Sequence, residues 1–93
     1  MVGCDLVPER REAARAAGIV IAATAAEVAA EANAICLCLT NTGAVAQVVE
    51  GASGIVSAGH RDSLVVIDHS TTEIEATKRL AAVLRERAGA AFI

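Results

Sequence analysis

Two uninterrupted apolar runs, "AICLCL" over residues 34–39 and the "LVVI" within "SLVVID", residues 63–68, constrain this chain more than anything else in it. A strand with one face in water alternates apolar and polar side chains, whereas a continuous aliphatic run is expected of a strand covered on both faces in a parallel sheet. Parallel neighbours need crossover helices, and helix signals stand on either side of both runs. The chain therefore reads as alternating strands and helices with right-handed crossovers, an α/β fold with a doubly wound parallel sheet.

The remaining elements follow from local punctuation. Residues 2–4 form a short apolar strand that ends at Asp5, and residues 8–17 a helix with Pro8 in its first turn and Gly18 closing it. Ile19, Val20 and Ile21 are consistent with a short strand or extended segment. Thr24 and Glu27 stand three apart as a capping box, opening an Ala-rich helix to about Ala32. After the first apolar run, "TNTG" turns into a helix over residues 44–50 that leaves through "GASG". A second capping box, Thr72 with Glu75, opens a helix whose apolar stripe is Ile74, Leu80, Ala81, Val83 and Leu84, ended by Gly89. "AAFI" begins another strand.

Composition narrows the function classes. The 93 residues allow at most one small domain, and the apolar fraction of 55% with 1% aromatics means the core is aliphatic. A net charge of −3 argues against a nucleic-acid surface, which needs clustered Lys and Arg to neutralise phosphates. No apolar run approaches the roughly 18 residues that span a membrane, and no basic, then apolar leader opens the chain, so the expected location is cytoplasmic. Cys4, Cys36 and Cys38 read as free thiols in the core, with Cys36 and Cys38 on one face of their strand. They form no metal site, because His60 and His69 add no ligand spacing.

In a parallel α/β sheet a ligand lies beyond the carboxyl ends of the strands, so the residues there are the candidates. Asp5 ends the first strand; an acid in such a place accepts hydrogen bonds from the two adenosine-ribose hydroxyls of NAD and repels the 2′-phosphate of NADP, or else simply caps the next turn. Leu39 and Thr40 end the first apolar run. Ser70 and Thr71 follow the second, where hydroxyl or backbone groups face a ligand or do no more than cap. His69 has no nucleophile beside it, and His60 sits in a polar loop, so no catalytic residue is assigned.

These stretches, in this order, resemble the cofactor domain of the β-hydroxyacid dehydrogenases, the group that includes 3-hydroxyisobutyrate dehydrogenase and tartronate semialdehyde reductase. "GCDLVPERREAARAAG" is similar to that family's second strand and helix, "GASGIV" to its "G-x-x-G-[IL]" segment, and "DHSTTE" to its "D-x-S-T" strand end. The resemblance implies an NAD(P)-dependent oxidoreductase acting on a small β-hydroxy acid. It also implies that Asp5 holds the adenosine ribose, that Leu39 and Thr40 line the dinucleotide cleft and that Thr71 approaches the nicotinamide ribose. NAD is expected over NADP, because Asp5, Leu6 and Val7 include no arginine for a 2′-phosphate. Thr40 stands where relatives carry proline.

Two family segments have no counterpart in the sequence: the "G-x-G-x-x-G" turn that receives the pyrophosphate, and the later helical segment that bears the family's catalytic lysine, which Lys78 does not match. Residues 1–93 are thus expected to be a partial dinucleotide-binding domain, Rossmann-like but lacking the first βα unit, an internal fragment or truncated reading frame without turnover of its own. Its exposed sheet edges favour self-association. The alternative from another class is a standalone α/β binding or regulatory module without catalysis.

Overall fold

The computed structural model describes residues 1–61 and 63–93. In chain order the elements are β1 (Val2–Gly3), α1 (Pro8–Ala16), β2 (Val20–Ile21), α2 (Ala25–Glu31), β3 (Ala34–Leu37), α3 (Thr42–Glu50), a 3₁₀ helix (Ile55–Ala58), β4 (Val65–Asp68), α4 (Ile74–Ala88) and β5 (Ala91–Phe92). All the pairings are parallel, as the βα alternation requires. They fall into two sheets: β1 pairs with β2, and β4 sits between β3 and β5. The expected Rossmann-like α/β fold is present, divided between β1 and β3.

The core occupies one face of the larger sheet. Ile35 and Leu37 of β3 and Val66 of β4 point into a cluster with Val45, Val49, Ile55, Leu80 and Leu84, so α3, α4 and the 3₁₀ helix cover that side. Burying aliphatics of this size stabilises by about 1.5–3 kcal/mol each, which makes this layer the main source of stability. The opposite face is bare. Ala34, Cys36 and Cys38 are exposed, in alternation with buried Ile35 and Leu37. This corrects the expectation of strands covered on both faces, and with it the core thiols. All three cysteines are free as expected, but exposed, Cys36 and Cys38 on the uncovered side of the β3 segment and Cys4 just after β1.

Local chemistry explains most element ends. Thr24 Oγ1 accepts from the Glu27 N–H at 3.2 Å while the Glu27 carboxylate accepts from the Ala23 N–H at 2.9 Å, so the first capping box forms. The second does not. α4 begins at Ile74 with Glu73 as its N-cap, and Thr72 instead shares a hydrogen bond with Thr77 at 2.7 Å. Starting the helix there turns Ile74 outward, 72% exposed, and removes it from the predicted stripe. α3 starts two residues earlier than expected, because Asn41 Oδ1 accepts from the Ala44 N–H at 2.8 Å and acts as the cap.

The predicted exit "GASG" holds for a steric reason. A Cβ on Gly54 would lie 2.7 Å from the Val48 carbonyl oxygen and 2.8 Å from that of Val49, both backbone atoms that have no room to yield. Glycine there lets the chain fold straight back from α3 into the 3₁₀ helix. Arg61 locks the next connection: its guanidinium donates to the carbonyls of Ala29 at 2.7 Å, Ala30 at 3.0 Å and Ala32 at 2.8 Å, and to Asn33 Oδ1 at 3.1 Å. The last turn of α2, which has no basic residue of its own, is capped by a cation from far along the chain.

Candidate functional site

Within the larger sheet the carboxyl ends of β3 and β4 point the same way, and the turns that follow them, with the turn that follows β1 in the smaller sheet, carry the candidate residues. β1 ends at Gly3, two residues before Asp5. Asp5 Oδ1 accepts from the Val7 N–H at 2.8 Å, an Asx turn that leads into α1, while Oδ2 lies 3.9 Å from the Arg10 guanidinium. Arg11 donates to the Asp5 backbone carbonyl at 2.9 Å. The turn-forming and ligand-facing readings of Asp5 are thus compatible: one oxygen holds the turn, and the other keeps lone pairs for a hydroxyl donor.

β3 ends at Leu37 rather than at Leu39, so Leu39 and Thr40 belong to the following turn. That turn is fastened to the one after β4. The His69 N–H donates to the Leu37 carbonyl at 2.8 Å, and the Leu39 N–H to Ser70 Oγ at 2.8 Å. Ser70 is positioned in turn by its own N–H, which donates to Asp68 Oδ1 at 2.8 Å, and Thr42 Oγ1 accepts from the Glu73 N–H at 3.1 Å. Asp68 and Ser70 therefore brace the edge, a role that the sequence pattern did not reveal for Ser70. Thr40 and Thr71 are both exposed, and Thr40 Oγ1 accepts from Asn41 Nδ2 at 3.4 Å.

A cleft of about 680 Å³ opens between the two sheets. Asp5 and Leu39 both line it, together with Cys4, Cys36 and Cys38 and the α1 residues Arg10 and Arg11. Partial burial, and then the neighbouring Asp5 carboxylate, hold the Cys4 thiol above its ordinary pKa, against a smaller lowering by Arg11. Arg10 and Arg11 stand beside Asp5 on this cleft although neither is among the candidates drawn from strand ends. No group of three or more His, Cys, Asp or Glu among the described residues is arranged to hold a metal ion, and no helix among them is long and apolar enough to cross a membrane.

The family model for the NAD binding domain of 6-phosphogluconate dehydrogenase matches residues 1–93. The chain belongs to this family. Its solved structural relatives include a 3-hydroxyisobutyrate dehydrogenase from Salmonella typhimurium, 26% identical with a TM-score of 0.81, and the Mycobacterium tuberculosis 3-hydroxyisobutyrate dehydrogenase, 22% identical with a TM-score of 0.82. The first alignment covers 98% of this chain and 31% of the other, the second 97% and 29%. A protein described as an oxidoreductase from Pseudomonas putida KT2440 superposes with a TM-score of 0.84 at 18% identity, over 98% of this chain and 30% of that one. No curated protein sequence matches. The chain is thus an NAD-binding-domain sequence, Rossmann-like and related to the 3-hydroxyisobutyrate dehydrogenases, that spans about 30% of the length of these relatives.

Proposed function

We propose that residues 1–93 form part of the dinucleotide site of an oxidoreductase acting on a small β-hydroxy acid, from the adenosine ribose at Asp5 to the nicotinamide ribose at Thr71, with NAD preferred over NADP. The observation that supports this is that Asp5 and Leu39 line one cleft, with Thr40 and Thr71 in the turns that follow the parallel strands β3 and β4. When bound, the dinucleotide supplies the hydride acceptor. Asp5 accepts the ribose hydroxyls through Oδ2, since Oδ1 is held by the Val7 N–H. Its negative charge opposes a 2′-phosphate, and Arg10, close to Oδ2, offsets only part of it.

Leu39, its N–H fixed by Ser70, forms the apolar wall of the cleft, and the Thr40 and Thr71 hydroxyls hydrogen-bond the cofactor further along the edge. None of these groups moves the substrate proton, so residues 1–93 alone produce no NADH from 3-hydroxyisobutyrate. In the whole protein the partners are a dinucleotide and a small hydroxy acid, and the location is cytoplasmic. The sequence carries no "G-x-G-x-x-G" turn to cradle the diphosphate, so binding by these residues is weak.

The test is NMR titration of the chain with NAD and with NADP. The expected result is fast-exchange shifts at the amides of Asp5, Leu39, Thr40 and Thr71, larger with NAD and lost in Asp5→Ala. Equal response to the two dinucleotides would reject the NAD preference. Shifts that avoid these four residues would reject the site, and measurable turnover would reject the assignment of catalysis to other parts of the protein.

A further inference from the structure

The β3–β4 ladder ends in a side chain rather than in the main chain. Its pairs run from Ala34 with Val65 to Leu37 with Asp68, and the carbonyls of Asn33 and Leu37 accept from the N–H groups of Val65 and His69. Evenly spaced parallel rungs would continue with the Leu39 N–H donating to the His69 carbonyl. Instead, Ser70 Oγ accepts from the Leu39 N–H at 2.8 Å. A side-chain hydroxyl reaches farther than a backbone carbonyl, so the two chains part at this point and remain joined.

Neither capping nor the core accounts for this bond. α4 takes Glu73 as its N-cap with no side-chain cap bond, so Ser70 does not serve the helix. Among the described residues the buried core includes neither Ser70 nor Leu39 nor Thr40. Ser70 is aimed from behind, by its own N–H on Asp68 Oδ1 at 2.8 Å. A second link, from the Glu73 N–H to Thr42 Oγ1 at 3.1 Å, ties the far side of the same turns. Thr40 and Asn41 on one turn, and Thr71 and Thr72 on the other, are thus bracketed by side-chain bonds that each join residues 31 apart in sequence.

We propose that Ser70 is a positioning residue of the dinucleotide site: through the Leu39 N–H it holds the turn of Leu39 and Thr40 in register with the turn of Thr71, so that both meet the cofactor together. This rests on the dinucleotide reading given above. A turn that is already ordered loses less conformational entropy when a ligand arrives, which is how a bond away from the contact surface raises affinity. Asp68 acts one step further back, by aiming Ser70, and what it supplies is an acceptor oxygen rather than a charge.

The test is NMR titration of the 93-residue chain with NAD and, separately, with AMP, which carries the adenosine ribose for Asp5 but no nicotinamide ribose for Thr71. Ser70→Ala should weaken NAD binding about five- to tenfold, the equivalent of one net hydrogen bond, and leave AMP binding as it was. Ser70→Thr restores an Oγ and should recover most of the loss. Asp68→Asn keeps the acceptor and should bind NAD better than Asp68→Ala. Asp68→Ala should add little in the Ser70→Ala background, as expected of groups acting in series. Thr24→Ala, which loosens a helix cap away from these turns, should not change the NAD response.

If NAD moves none of the amides of Asp5, Leu39, Thr40 and Thr71 in the unsubstituted chain, the dinucleotide reading fails and this inference falls with it. If NAD binds there and Ser70→Ala binds it as well as the unsubstituted chain does, the site stands and Ser70 does not position it. A loss shared equally by NAD and AMP, or reproduced by Thr24→Ala, would trace the effect to general loosening and would also overturn the proposal.

Discussion

Replacing Arg61 with alanine tests how this small sheet is held to its crossover helix. The guanidinium serves three carbonyls at the end of α2 and Asn33 Oδ1, and its backbone N–H donates to the Ala88 carbonyl, an interaction the substitution keeps. A cation at a helix C-terminus contributes about 0.3–1 kcal/mol, rising to about 2 in partly buried geometry. Hydrogen bonds to a charged group contribute about 1.5–3 kcal/mol each when water cannot replace them. Arg61 is half-buried, so water recovers much of that second amount, and the expected net loss is about 2 kcal/mol. For a chain of this size that corresponds to a fall in Tm of roughly 8–16 °C.

Circular dichroism is the suitable probe, since the sequence has no Trp or Tyr. Arg61→Lys should recover about half of the loss, because a single ammonium cannot fork across the helix end. Asn33→Ala should cost less in the Arg61→Ala background than alone, the coupling expected of direct partners. A loss below about 0.5 kcal/mol, within the range of ordinary surface substitutions, would refute the capping argument.

Three further outcomes follow from the same geometry. Gly54→Ala forces a Cβ against three backbone atoms and should destabilise by about 1–3 kcal/mol in urea unfolding; a neutral result would mean that the 3₁₀ turn shifts freely. Thr24→Ala removes the hydroxyl oxygen that accepts from the Glu27 N–H and should cost about 1 kcal/mol, with Thr24→Ser close to neutral. In a Cys36→Ser, Cys38→Ser background, the pH midpoint for alkylation of Cys4 should lie above that of an unstructured thiol and should fall in Asp5→Asn. Since the folded thiol holds its proton more tightly than the unfolded one, its contribution to stability is full below the unfolded pKa and is lost as pH rises through the folded value. Stability that instead increased through that window would contradict the assigned shift.

The order of elements was legible because capping and apolar runs are local signals. Thr24 with Glu27 and the glycine exit at Gly54 worked as read, since each depends on atoms within a few residues. Thr72 with Glu75 failed because the matching spacing was present while a competing local bond, Thr72 to Thr77, satisfied the hydroxyl. The core thiols failed for a different reason: an aliphatic run states that a strand suits two covered faces, but not that both covers lie within the same 93 residues. Of the residues that line the cleft, Asp5 and Leu39 are readable from strand ends alone. Ser70 and the α1 arginines depend on where turns meet in space, and Arg61 acts on carbonyls about thirty residues away in sequence.

Every core residue lies between Ala29 and Ala90, and α1 buries none. The stability of the molecule is therefore graded along its length. Amides of β1, α1 and β2 exchange through small openings that leave the α3–α4 layer intact, while those of the central strand β4 exchange only when the whole layer comes apart. A protease that samples such openings meets residues 1–24 first, and cutting there releases the lobe that carries Asp5 while the rest stays folded.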